Sequence, residues 1–214
     1  MIVAPSVLSL DYSRMNEQMD EVNRSKAEWL HFDVMDGHFV PNLTFGPDLL
    51  KGFCKVSDLF MDVHLMVTDP SFFADVFMDA GADQITFHYE AMKDEESIHA
   101  LAKHIHECGK KAGLSIKPKT DLAVLEPFLN EFDLFLIMSV EPGFGGQPFI
   151  EESLDRIANL KKRLVEENSN ALIQVDGGIN ATTGKRCTEA GVDVLVAGSY
   201  IFKNNIEEAV DSLF

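Results

Sequence analysis

His31-Phe32-Asp33-Val34-Met35-Asp36-Gly37 reads as a strand with chemistry on one side only. Side chains alternate along a strand, so His31, Asp33 and Met35 share one face while Phe32 and Val34 share the other. The apolar pair suits the interface between a sheet and its covering helices, which leaves the His-Asp-Met row facing inward. An inward carboxylate and imidazole need partners, because an unpaired buried charge is costly.

The same pattern recurs downstream. Asp62-Val63-His64-Leu65-Met66 places His64 and Met66 on one face, and Gln174-Val175-Asp176-Gly177-Gly178 ends in another carboxylate. These stretches belong to a regular alternation. Strand-like runs are expected at 2–8, 29–34, 59–65, 84–87, 111–116, 134–138, 172–175 and 192–196. Helix-like segments are expected at 13–25, 71–80, 95–107, 151–166 and 181–190. Ala80-Gly81-Ala82-Asp83 and Ala190-Gly191-Val192-Asp193 both read as helix C-cap glycines leading into a strand. Eight strands alternating with helices imply a parallel sheet, and the count fits a closed (β/α)8 TIM barrel better than an open doubly wound sheet. With no linker-like or low-complexity tract, residues 1–214 read as one catalytic domain.

Composition narrows the function. The 214 residues carry 35 acidic against 18 basic side chains, a formal charge of −17. Such a field repels nucleic acid and anionic lipid, so neither is an expected partner. No apolar stretch is long enough for a membrane span and the N-terminal residues do not resemble a signal peptide, so a cytoplasmic location is expected. Cys54, Cys108 and Cys187 are odd in number and widely spaced, which argues against a disulfide framework or thiolate metal site.

Polar residues at the C-terminal ends of strands stand where a barrel builds its active site. His31, Asp33, His64 and Asp176 there offer the donors of a divalent ion such as zinc, manganese, iron or cobalt. Satisfied core histidines and an ion-paired Asp33 are the plainer alternative. Glycine is the second signal, in Val140-Glu141-Pro142-Gly143-Phe144-Gly145-Gly146-Gln147, Gly177-Gly178 and Gly198-Ser199. Glycines let the backbone approach an anion closely, and the loops after strands 7 and 8 are the usual phosphate site of barrels. Neutral N–H donors would hold a phosphate despite the acidic field.

The chain resembles the ribulose-phosphate 3-epimerase family in these motifs. It also does so in Pro5-Ser6-Val7-Leu8-Ser9-Leu10-Asp11, in Phe39-Val40-Pro41-Asn42 after the His31 stretch, in Val175 to Ile179 and in Ala197-Gly198-Ser199. The resemblance implies an isomerase of carbohydrate metabolism, in the pentose phosphate pathway, that interconverts D-ribulose 5-phosphate and D-xylulose 5-phosphate at C3. It implies one divalent metal ion, with zinc foremost, on His31, Asp33, His64 and Asp176. Asp33 and Asp176 double as the acid/base pair. Ser6, His64 and Asp176 meet the substrate, and Met35, Met66 and Met138 line the reacting carbon. Gly143, Phe144, Gly145, Gly146, Gly177, Gly178, Gly198 and Ser199 hold its phosphate end. A homo-oligomer is expected.

Two other functions fit less well. An epimerase for a six-carbon ketose phosphate, such as allulose 6-phosphate, would use the same residues. A non-catalytic phosphate-binding barrel would not need the intact His31, Asp33, His64 and Asp176. Lys117 sits where some relatives carry Asn before Pro118, and His88 and Glu90 read as supporting or structural residues.

Overall fold

The computed structural model describes residues 1–214. Eight parallel strands form one sheet: β1 (Ile2–Pro5), β2 (Trp29–Met35), β3 (Phe60–Met66), β4 (Gln84–His88), β5 (Lys111–Ile116), β6 (Leu134–Met138), β7 (Leu172–Asp176) and β8 (Val194–Ala197). They pair in the order β1-β8-β7-β6-β5-β4-β3-β2. The seam between β1 and β2 is drawn together by a Ser6–His31 bridge and by the Glu28 N–H donating to the Val3 carbonyl at 3.3 Å. The result is a nearly closed (β/α)8 barrel.

The outward faces of the strands carry the large apolar side chains. Phe32, Val63, Phe87, Leu114, Phe135 and Val175 pack with the helices into the main core. Those helices are α1 (Met15–Arg24), α2 (Pro47–Phe53), α3 (Pro70–Ala80), α4 (Glu95–Glu107), α5 (Ser153–Glu166), α6 (Ala181–Ala190), α7 (Ser199–Phe202) and α8 (Ile206–Asp211). Gly81 and Gly191 end α3 and α6 with φ of 112° and 113°, the left-handed geometry expected of C-cap glycines. Inside the barrel the two halves differ. Ala4, Leu134, Leu136, Met138, Val194 and Val196 form an apolar cluster, whereas Asp62, His64, Gln84, Thr86 and Gln174 are polar and fully or almost fully buried.

The structure departs from the sequence reading in several places. The first strand stops at Pro5, because the Ser6 hydroxyl caps a 3-10 turn over Val7–Ser9 by accepting the Leu8 N–H at 3.3 Å. The fifth crossover holds no α-helix, only a 3-10 helix over Leu122–Phe128 that contains Pro127, a residue lacking the N–H a continuing helix needs. Three helices, α2, α7 and α8, were not anticipated. Each is short, and four to seven residues are too few to show a helical period.

Register sets the interior chemistry. β2 and β3 align His31 with Asp62, Asp33 with His64 and Met35 with Met66. β4 and β5 align Thr86 with Gly113, where a Cβ would lie 2.2 Å from Thr86 Oγ1 and 3.0 Å from Thr86 Cβ. Gly113→Ala should therefore overpack the barrel and cost about 1–3 kcal/mol, seen as a lower Tm. Gly52→Ala, in α2 with no atom within 4 Å of the added Cβ, should instead raise stability by up to about 1 kcal/mol through helix propensity. Thermal unfolding of the two variants checks both signs.

Candidate active site

The C-terminal ends of the strands surround a cavity of about 540 Å³. Ser6, Asp33, Met35, Met66, Met138, Gly143, Phe144, Gly145, Gly146, Asp176, Gly177, Gly178, Gly198 and Ser199 all line it. His31 and His64 lie beneath its floor with no exposed surface. One ligating atom from each of His31, Asp33, His64 and Asp176 falls within 4.8 Å of the others. The metal-ligand candidates, the methionines and the glycine loops singled out in the sequence thus come to one place.

Asp33 is the centre of this cluster. Its Oδ2 accepts the Ser6 hydroxyl at 2.7 Å. Its Oδ1 lies 3.3 Å from His31 Nε2 and 3.2 Å from His64 Nδ1. Burial by itself would raise the Asp33 pKa, but the neighbouring His31 and His64 outweigh it and hold this carboxyl well below the usual range. Asp176, at the end of β7, is half-buried and lacks such partners. Desolvation, then the neighbouring Asp33 charge, push it up to about 7. On the short way round the barrel only β8 and β1 separate β7 from β2, so the two carboxylates meet across the mouth rather than standing far apart.

The histidines are oriented from behind. His31 Nδ1 lies 2.7 Å from Asp62 Oδ2, and Asp62 also accepts from Gln84 at 2.8 Å and from Gln174 at 2.6 Å. A carboxylate can only accept, so the His31 proton sits on Nδ1. Its Nε2 is completely buried with no hydrogen-bond partner. An orphaned imidazole nitrogen beside two carboxylates and a second imidazole suits a divalent cation, and the carboxylate behind it is the usual support of a ligating histidine. The donor set therefore fits a metal ion. Burial would lower the His31 pKa, but Asp33 and Asp62 on either side raise it well above the ordinary value.

Sequence reading missed Asp62, Gln84 and Gln174. Asp62 was legible in principle, standing two residues before His64 on the same strand face. The glutamines gave no signal, since Gln174 reaches Asp62 only across the barrel interior. Asp36 proves to be a loop pin. It accepts the N–H groups of His38 and Phe39, both at 2.8 Å, and the N–H and hydroxyl of Thr68 at 2.7 and 2.8 Å. Lys117 sets its ammonium 4.0 Å from the centroid of the Phe39 ring. The loop glycines also have packing reasons. A Cβ at Gly177 would strike Val140 at 2.6 Å, and one at Gly178 the Phe149 backbone at 2.6 Å.

Residues 2–202 match the Ribulose-phosphate 3 epimerase family. The chain belongs to the ribulose-phosphate 3-epimerase family. The ribulose-phosphate 3-epimerase of Mycobacterium tuberculosis is 44% identical over 94% of this chain and 86% of its own length. That of Chlamydia muridarum is 38% identical over 98% of this chain and 93% of its own. Among solved structures, 3-hexulose-6-phosphate synthase superposes with a TM-score of 0.71 at 17% identity, covering 100% of this chain and 98% of the other. 3-Keto-L-gulonate-6-phosphate decarboxylase from Vibrio cholerae gives 0.72 at 14% identity, covering 100% and 94%. At such identities these two share the barrel and nothing further is carried over.

A cation held by His31 and Asp176 would displace their protons, since both groups are held above their ordinary ranges. Protonated ligands do not bind metal, so zinc affinity should rise as pH climbs through about 7, where Asp176 titrates, and fall below it. Calorimetric zinc titrations in buffers of different ionisation enthalpy would count the released protons. Affinity that is flat from about pH 6 to about pH 8 would contradict the ligand set.

Proposed function

We propose that the chain is a metal-dependent isomerase that interconverts D-ribulose 5-phosphate and D-xylulose 5-phosphate by inverting C3 through a planar enediolate. Asp33 and Asp176 serve as the acid/base pair. One observation carries the reading: two carboxyls, Asp33 and Asp176, face a single cavity with a ligating atom of each within 4.8 Å of those of His31 and His64. Two carboxyls on one cavity let one take a proton while the other, reprotonated from solvent, returns one.

Epimerisation beside a carbonyl removes a C–H proton and returns one on the opposite face. Asp33, fixed by the Ser6 hydroxyl and flanked by His31 and His64, takes the proton on its side. Asp176 delivers one from the β7 side, and the roles exchange in the reverse direction. Met35, Met66 and Met138, each at most 2% exposed, keep the floor beneath the reacting carbon dry and apolar. Ser6 lines the cavity where it would meet the sugar, whereas His64, fully buried, would act on it only by holding the ion.

His31, Asp33, His64 and Asp176 would hold one divalent ion, zinc foremost, with iron, manganese or cobalt also suited to these donors. When bound, it supplies a Lewis acid for the substrate's carbonyl end. At the other end, the N–H groups of Gly178, Gly198 and Ser199 make no hydrogen bond in the fold and would hold the phosphate. Gly143, Phe144, Gly145, Gly146 and Gly177 complete the rim. Lys203 is the one basic side chain lining the cavity, so neutral donors carry most of this task. The same reading takes residues 1–214 as one catalytic domain and places the chain in the cytoplasm as a homo-oligomer. No nucleic acid or membrane is a partner: its charge of −17 repels polyanions, and no helix is long and apolar enough to cross a membrane.

Product formed from ribulose 5-phosphate in heavy water should carry solvent deuterium at C3. Asp33→Asn and Asp176→Asn should each lower net epimerisation by about 10²–10⁴-fold, with metal content measured alongside. An Asp176→Asn enzyme that keeps its metal and near-normal turnover removes Asp176 from the mechanism. Retention of the substrate's own C3 proton would point to a single shuttling base. Faster turnover of allulose 6-phosphate than of ribulose 5-phosphate would move the substrate to the six-carbon class.

A further inference from the structure

His64 turns one ring nitrogen toward the cavity floor and the other away from it. The second, Nε2, lies 2.8 Å from Nε2 of His88, and His88 Nδ1 lies 3.2 Å from Glu90 Oε2. The remaining oxygen of Glu90 accepts the Lys117 N–H at 2.7 Å and the Thr120 hydroxyl. His88 has no exposed surface. Its ring packs at a tilt against those of His64 and Phe39, with both centroids at 5.0 Å.

The proton positions along this row follow from Glu90. Three donors converge on its carboxylate, and an ionised carboxylate can only accept. His88 must therefore carry its proton on Nδ1. A neutral His88, as deep burial dictates, then accepts at Nε2, so His64 must donate from its own Nε2. That leaves a lone pair on His64 Nδ1, facing Asp33 Oδ1 at 3.2 Å. Two acceptors at this distance repel each other unless a cation lies between them.

We propose that His88 and Glu90 are positioning residues of the metal site, locking the His64 imidazole in the tautomer whose Nδ1 lone pair faces the ion. The proposal rests on the reading of His64 as a ligand. Asp62 performs the same service for His31 in a single step, through Nδ1. For His64 the carboxylate stands one residue further off, and His88 transmits its polarity. Glu90 belongs to the loop after β4, which ties the ligand geometry to Lys117 and Thr120 in the loop after β5.

The test pairs two variants with one spectrum. His88→Phe keeps an aromatic ring there but removes both nitrogens, and zinc affinity measured by chelator competition should fall about 10–100-fold. His88→Gln can present an acceptor oxygen to His64 Nε2–H, and should recover most of that affinity. Unchanged affinity in folded His88→Phe, or an equal loss in both variants, overturns the proposal. Ring-nitrogen NMR of the zinc-loaded wild-type chain should find protons on His64 Nε2 and His88 Nδ1. A proton on His88 Nε2 instead overturns it whether or not the variants fold. A wild-type chain that takes up no zinc defeats the metal reading, and the same spectrum of the unloaded chain then decides the relay: a proton on His88 Nε2 overturns it.

Discussion

A carboxylate buried at 3% exposure must be paid for by partners, and most of the upper barrel is arranged around Asp33. Two imidazoles and a serine hydroxyl surround it. Each of those groups is itself buried and needs a partner in turn. His31 leans on Asp62, Asp62 on Gln84 and Gln174, and His64 on His88 and Glu90. The polar half of the barrel interior is the outcome of this chain of obligations. It reaches from β2 through β3 and β4, and crosses the interior to β7.

The apolar half gives that network its force. Leu134, Leu136, Val194 and Val196 fill the opposite side of the interior with side chains that cannot hydrogen-bond. Met138 and Val196 flank Asp176 on the neighbouring strands and offer it no hydrogen-bond partner, and electrostatic interactions strengthen where the dielectric is low. The two aspartates then diverge for a local reason. Asp33 has cationic and hydroxyl partners, whereas Asp176 has desolvation and a neighbouring negative charge. A pair of identical side chains takes opposite pKa shifts through surroundings alone.

Loop packing extends the same design to the mouth. Asp36 clamps the loop after β2 to that after β3, and Asn42 donates to the Gly143 carbonyl at 2.8 Å, fastening it to the loop after β6. Gly177 and Gly178 allow the loops after β6 and β7 to touch backbone to side chain and backbone to backbone. Glycines that looked in the sequence like anion-binding positions therefore answer two demands. They line the cavity, and they let neighbouring loops close around it without a Cβ in the way.

The eight-fold alternation of strands and amphipathic helices, the inward row of His31, Asp33 and Met35, and the C-cap glycines were legible in the sequence because each is a local periodic or conformational signal. The sequence equally marked His64, Asp176 and the glycine loops, whose residue types are unusual at strand ends. It was silent on α2, α7 and α8, since a helix of one or two turns shows no period. Which partner each buried group would find lay beyond it. Asp62 serves His31 because β2 and β3 align those two residues, and Gln174 reaches Asp62 from 112 positions away only once the sheet has curled. Register and closure alone decided these pairings, because a hydrogen bond depends on distances of ångströms that residue order along the chain does not specify.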